Sequence, residues 1–151
     1  MKSFLSDAIS RAGSQGGDAN PTYQEYSAAD QELLSVLESL KTNIKIVGCG
    51  GGGTNTIDRL SEVGISGAEI FAANTDAQHL LAVRAPHKIL LGRRSTRGLG
   101  AGALPQVGEE AAREAEDEIR KVLNGADIVF VTAGMGGGTG TGSAPYVAKV
   151  A

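Results

Sequence analysis

The chain has a single cysteine, Cys49, and no tryptophan. One thiol excludes an intramolecular disulfide and a cysteine-rich zinc site, and it fits a reducing, cytoplasmic setting. Aromatic residues are scarce, with three Tyr and three Phe, so no platform for base stacking is expected. The formal charge is only −3. That gives no electrostatic case for nucleic acid or for an anionic membrane. No apolar run approaches the about 20 residues that span a bilayer, so no direct membrane span is expected. The opening Met1-Lys2-Ser3-Phe4-Leu5 reads as too short in apolar residues for a signal peptide.

Glycine is what the chain has in excess. There are 22 in 151 residues, about twice the usual share. They lack the third-residue period of collagen. Sixteen fall in three clusters, at 48–53, 92–108 and 134–142. Glycine clustered beside apolar runs suggests backbone shaped around a ligand.

Two regions are expected. Residues 1–42 read as an N-terminal extension. Its first dozen residues can form a short amphipathic helix, with Phe4, Leu5, Ala8, Ile9 and Ala12 on one face, as a docking or frayed terminal helix or as a membrane-surface one. A flexible linker follows over 13–22. Ser27 is placed to cap a helix over 28–41, with Leu33, Leu34, Leu37 and Leu40 as its apolar face.

From residue 43 to 151 the pattern alternates. Strands are expected at 43–47, 69–73, 88–91 and 127–132, the last apolar enough for burial on both faces. Between them lie a helix over 55–63, a short helix capped by Asp76 and a long helix over 106–124 that stops at Asn124-Gly125. A last helix begins after Gly140. This βαβαβαβα order implies an α/β fold, a Rossmann-like doubly wound parallel sheet.

The chemistry gathers where strands end. The first strand runs into Gly48-Cys49-Gly50-Gly51-Gly52-Gly53-Thr54-Asn55, which satisfies G-x-G-x-x-G at a strand-to-helix turn. Glycine there lets backbone N–H groups and a helix N-terminus approach a phosphate. Without a Lys-Ser/Thr ending it is not a Walker A loop, and by itself it suits a dinucleotide equally well. The fourth strand runs into a second such loop, Gly134 to Ser143, with six glycines in nine residues. Strands one and four are neighbours where the winding reverses, so both loops open on one crevice. Two converging loops suit a compact charged group such as a triphosphate. The alternatives are a Rossmann dinucleotide-binding module with a single working loop, or a glycine turn without a ligand.

Two more loops share that edge. Asp76, in Ala73-Asn74-Thr75-Asp76-Ala77-Gln78, is either a helix cap or an acid that handles Mg²⁺ through water or reaches a ribose. The third loop, 92–102, carries Arg93, Arg94 and Arg97, which face phosphates or simply solvent. Cys49 reads as a small filler in its turn. His79 and His87 have no metal-ligand partners at suitable spacing and read as surface residues. No nucleophile–base pair is visible.

Gly136-Gly137-Gly138-Thr139-Gly140-Thr141-Gly142 resembles the GGGTGTG signature of the tubulin/FtsZ family of cell-division GTPases. Asn74 to Gln78, Thr96 to Gly102 and Gly50 to Asn55 are similar to the family's other loops, in the same order. The resemblance covers about 43–151. The extension and the Val47-Gly48-Cys49-Gly50 form of the first loop look archaeal. It implies GTP/GDP and Mg²⁺ as cofactors. It places Gly50, Gly51, Gly52, Gly53 and Asn55 in the first phosphate loop. Asn74 and Asp76 fall near phosphates and metal, with Asp76 as the metal residue. Ala101 and Gly102 match the γ-phosphate sensor, and Gly136, Gly137, Gly138, Thr139 and Gly140 match the phosphate cradle, with Thr139 as a side-chain donor. A bulky residue at 138 is then expected to remove nucleotide binding and leave the sheet folded. Leu104 departs from the Asn or Gly usual before Pro105.

The resemblance also implies what lies elsewhere. Family GTPase domains are longer than this chain, and the base- and ribose-reading residues fall beyond residue 151. So does the acidic loop that activates water on the next subunit's nucleotide. The chain is therefore expected to be a truncated N-terminal part of the GTP-binding domain, with no catalytic residue of its own. The implied partners are further copies in a head-to-tail filament, and membrane-anchor or division proteins, in the cytoplasm at the division site.

Overall fold

The computed structural model describes residues 27–151. The expected helix over 1–12 and linker over 13–22 lie outside the described residues. Helix α1 (Ala28–Ser39) belongs to a unit that ends at Leu40. Its start is the expected one: Ser27 Oγ accepts from Asp30 N–H, and the Asp30 carboxylate accepts from Ser27 N–H, a reciprocal cap.

The second unit, Lys41–Ala151, holds the sheet. Its elements are β1 (Ile44–Cys49), α2 (Gly50–Val63), β2 (Ala68–Asn74), α3 (Ala77–Ala82), β3 (His87–Leu90), α4 (Pro105–Glu114), α5 (Glu116–Leu123), β4 (Ile128–Ala133) and α6 (Gly138–Val150). The four strands are parallel in the order β3-β2-β1-β4. This is the expected doubly wound sheet, with β1 and β4 adjacent at the reversal of winding.

Strand alternation divides the core between two faces. Val47 and Cys49 of β1 and Phe71 and Ala73 of β2 pack with Ala111, Ile119 and Val147 of α4, α5 and α6. Ile70 and Ala72 point the other way, onto Ile57 of α2 and Leu80 of α3. Period-two side chains on a sheet covered on both faces require this arrangement.

Three expectations are corrected. The helices after β1 and β4 start earlier than the sequence suggests, at Gly50 and Gly138, so Gly50 to Gly53, Gly138 and Gly140 sit in helical first turns. Glycine is a poor helix former, but close packing demands it here. A Cβ on Gly53 would collide with the Thr132 carbonyl of β4, and one on Gly142 with the Pro105 carbonyl of α4. The single helix over 106–124 is two helices that part at Ala115. Ala115 N–H is shared between the Ala111 and Ala112 carbonyls, a tightened last turn. The break sets Glu114 to accept from Arg94 and Ser95 N–H, and Glu116 to accept from the Tyr146 hydroxyl of α6. Finally, β4 is not buried on both faces. Val129 and Val131 pack against the α4–α6 side, whereas Ile128 and Phe130 are 44% and 56% exposed. Among the described residues β4 pairs only with β1, and although α2 reaches its carboxyl end at Thr132, Ile128 and Phe130 stay exposed.

Lys45 is a charge the strand pattern does not explain. It lies on β1 and is 7% exposed. Its ammonium donates to the Val122 and Asn124 carbonyls at the end of α5, at 2.6 and 3.2 Å. A cation here satisfies carbonyls that the helix leaves open and meets the negative end of its dipole. Lys45→Met keeps the apolar stem and strands those acceptors. It should lower unfolding free energy by about 1.5–3 kcal/mol, the usual worth of a charged hydrogen bond. Urea denaturation checks this, and an unchanged midpoint would show that the carbonyls are served by water.

Candidate functional site

Because the sheet is parallel, the carboxyl ends of all four strands lie on one edge. Four connections leave from it: Cys49 into α2, Asn74 into α3, Leu90 into the long segment before α4, and Ala133 into α6. The first and last meet backbone to backbone. A Cβ added at Gly52 would stand 2.9 Å from the Gly134 Cα, and one at Gly50 would stand 2.5 Å from the Gly140 nitrogen. Gly50 also has φ +68°, which only glycine adopts readily. The two glycine loops therefore share one crevice.

The third segment is fastened to the fourth loop. Gly138 N–H donates to the Gly102 carbonyl at 3.0 Å, and a Cβ on Gly138 would lie 2.5 Å from that oxygen and 2.9 Å from the Ala101 oxygen. Gly138 is thus glycine for the sake of packing between loops. A bulky residue there would part the 101–104 segment from α6, so the folding consequence differs from the expected one. Ala101 is buried against this contact, and Gly102 is exposed with φ +58°. Gly136 N–H is engaged as well, by Thr141 Oγ1 at 3.0 Å.

Thr75 knits the remaining loops, a role that no pattern in the sequence signals. It is fully buried. Its hydroxyl lies 2.6 Å from that of Thr139. Its carbonyl accepts from Gly100 N–H at 3.1 Å and from Thr96 Oγ1 at 3.4 Å. One proton serves the Thr75–Thr139 contact, so the pair retains a second hydroxyl proton for another acceptor. Asn74 is 3% exposed, and its Oδ1 accepts from Thr75 and Asp76 N–H in a tight Asx turn. Asp76 caps α3, its Oδ1 accepting from His79 N–H at 2.9 Å. Its Oδ2 has no hydrogen-bond partner among the described residues. Asn55 is exposed one turn beyond Gly51 on the same face of α2. Arg93, Arg94 and Arg97 are all exposed, and Arg94 pairs with Glu114.

Cys49 is fully buried at the end of β1, as a filler. Burial pushes its thiol up to about 11, against the opposing hydrogen bond of Ser143, so it stays neutral. Among the described residues no three His, Cys, Asp or Glu side chains gather as a metal cage. His79 is not a bare surface residue. It is half-buried, with Nε2 3.0 Å from the buried Thr54 hydroxyl. A groove of about 340 Å³ between α4 and α6 lies elsewhere, and its Arg113 and Glu109 are paired with each other.

What the crevice offers is a set of glycines of two kinds. Gly48, Gly53, Gly138 and Gly142 have backbone or core where a Cβ would go. Gly51 and Gly137 have nothing within 4 Å of that position and no positive φ. Nothing among the described residues requires glycine at either. Each sits at the start of a helix, where first-turn N–H groups lack partners inside the helix.

Comparison with known proteins shows the family. The family model for the Tubulin/FtsZ family, GTPase domain, matches residues 43–151. Cell division protein FtsZ 1 of Archaeoglobus fulgidus is 56% identical over 151 residues, all of this chain and 41% of that protein. The protein of the same name from Halobacterium salinarum is 60% identical over 136 residues, 90% of this chain and 34% of that protein. The chain thus spans about two fifths or less of the length of these curated relatives. The solved structure "FtsZ dimer, empty" of M. jannaschii superposes with a TM-score of 0.74 at 55% identity, over 82% of this chain and 36% of that one. A GTPγS-bound protofilament of CetZ2 from Haloferax volcanii superposes at 0.63 and 26% identity, over 72% of this chain and 35% of that one. The chain belongs to the tubulin/FtsZ family, and the part of the family it matches is the GTPase domain.

Proposed function

We propose that the protein acts in cell division as a GTP-binding, GTP-hydrolysing cytoskeletal protein that polymerises head to tail. In this reading residues 43–151 form the N-terminal part of its GTP-binding domain, and 1–42 are an extension to it. Gly51, Gly52, Gly53 and Asn55 would line one side of the phosphates, and Gly136, Gly137, Thr139 and Gly140 the other. The observation that carries the reading is the open space at Gly51 and Gly137. Glycines that the fold does not need, one at each of two helix N-termini whose loops meet at Gly52 and Gly134, suit a ligand that fills the space itself. A dinucleotide module requires one such loop, so the second favours a compact polyphosphate. Mg²⁺ would screen the phosphate charge, held by phosphate oxygens and water with the Asp76 carboxylate in reach.

Self-association is supported by relatives: the M. jannaschii FtsZ structure is described as a dimer and the CetZ2 structure as a protofilament. Hydrolysis would take place where two copies meet, with the water-activating acid supplied by the neighbour. The setting would be the cytoplasm at the division site, with anchoring or other division proteins as further partners. No helix among the described residues is long and apolar enough to cross a membrane.

Two outcomes are expected. Gly51→Ala should leave the melting temperature unchanged or raise it, since alanine is the better helix former by about 0.5–1 kcal/mol. It should weaken GTP binding about tenfold or more, a loss of about 1.4 kcal/mol. Gly137→Ser, which adds a side chain and a good N-cap, should behave likewise. Gly138→Ala should instead destabilise the fold by about 1–3 kcal/mol through overpacking. Calorimetric GTP titration paired with thermal melts separates the classes, and native affinity in Gly51→Ala would refute the phosphate site.

The second outcome concerns turnover. The 151-residue chain alone should release no phosphate from GTP above background, because its loops bind but carry no group in line to activate water. A phosphate-release rate per molecule that rises with protein concentration and is abolished by Asp76→Ala would contradict this division of labour.

A further inference from the structure

We infer that His79 and Thr54 form a positioning pair that sets the direction of the phosphate-facing amides at the start of α2 and couples them to Asp76. The inference rests on the phosphate site just proposed. Gly50 to Gly53 form the first turn of α2, but glycine holds helical geometry weakly, so these peptide planes turn more freely than those of other residues. Thr54 supplies what they lack. Its buried hydroxyl lies 2.8 Å from the Gly50 carbonyl and 3.1 Å from the Gly51 carbonyl. Each carbonyl shares a rigid plane with the following N–H. Holding the Gly50 oxygen therefore aims the Gly51 N–H, and holding the Gly51 oxygen aims the Gly52 N–H, both away from Thr54.

Thr54 is itself held from outside its helix. With its one proton turned to the Gly50 and Gly51 carbonyls, its oxygen is left to accept, and His79 Nε2 stands 3.0 Å away as donor. His79 lies on α3, and its backbone N–H donates to the Asp76 carboxylate at 2.9 Å. The path from the Asp76 carboxylate to the amides of Gly51 and Gly52 thus runs through one histidine and one threonine. Thr54 is fully buried and His79 acts through it, so both are assigned as positioning residues. Their effect is on preorganisation: donors already aimed lose less freedom when a phosphate arrives.

The test uses the full chain, GDP, five single variants and one double variant. Thr54→Val removes the hydroxyl at constant shape, and His79→Leu removes the donor. Thr54→Ser and His79→Gln restore a hydroxyl and an N–H donor. Gly51→Ala reports on the phosphate site itself. Each is measured by calorimetric GDP titration and by melting without nucleotide. The expected result is about tenfold weaker GDP binding in Thr54→Val and in His79→Leu, with no further loss when the two are combined. Thr54→Ser and His79→Gln should bind within about twofold of the native chain. Native GDP affinity in His79→Leu, beside a loss in Gly51→Ala, would overturn the pair while leaving the site intact. A lowered melting temperature with native affinity would overturn it too, by reducing the contact to packing. Native affinity in Gly51→Ala would remove the site and the pair together.

Discussion

Everything at the carboxyl edge of the sheet depends on backbone meeting backbone without a side chain between. Gly52 against Gly134, Gly50 against Gly140 and Gly138 against Gly102 are three such approaches, and each would be blocked by one Cβ. They bring loops separated by up to ninety positions into one crevice. They also commit some amides to the fold, as with Gly138 N–H on the Gly102 carbonyl, and leave first-turn amides at Gly51 and Gly137 uncommitted. The cost is the poor helical propensity of glycine at the start of α2 and α6. It is offset by packing, and at α2 by the hydroxyl of Thr54.

Side-chain hydroxyls complete what the glycines begin. Thr75 ties the loop after β2 to the segment before α4 and to the loop after β4, Thr96 ties that segment to Thr75, and Thr54 ties its own turn to His79. No buried side-chain nitrogen or oxygen among the described residues lacks a partner. In a crevice proposed to hold phosphates this matters: a hydroxyl both donates and accepts, so it can bind backbone on one side and remain neutral toward an anion on the other. The charged groups nearby are few. Asp76 is half-buried, and the arginines of the third segment are exposed.

The strands, the switch point and the four loops were legible because each leaves a local mark: a β-branched run, a glycine cluster, an Asp before an apolar helix. Asp76 as a cap was readable for that reason. The helical first turns at Gly50 and Gly138 were not, since propensity argues for loop and only tertiary packing overrides it. The break at Ala115 follows from what Glu114 and Glu116 bond, Arg94 and Ser95 on one side and Tyr146 on the other, which no periodicity encodes. The expected burial of β4 failed because apolarity shows what a strand can bury and not what is present to cover it. Thr75 and the His79–Thr54 contact were missed because their partners lie 64 and 25 residues away.

The central claim is that phosphates occupy the space between Gly51 and Gly137. The most direct measurement is an amide ¹H–¹⁵N spectrum of the chain titrated with GDP. The account predicts the largest shifts at Gly51, Gly52, Gly137 and Thr139, with little change at Gly64 and Gly67, which are as open to solvent but lie away from the sheet's carboxyl edge. Shifts concentrated instead at Arg113, Tyr146 and Lys149 would place the ligand in the groove between α4 and α6 and contradict it.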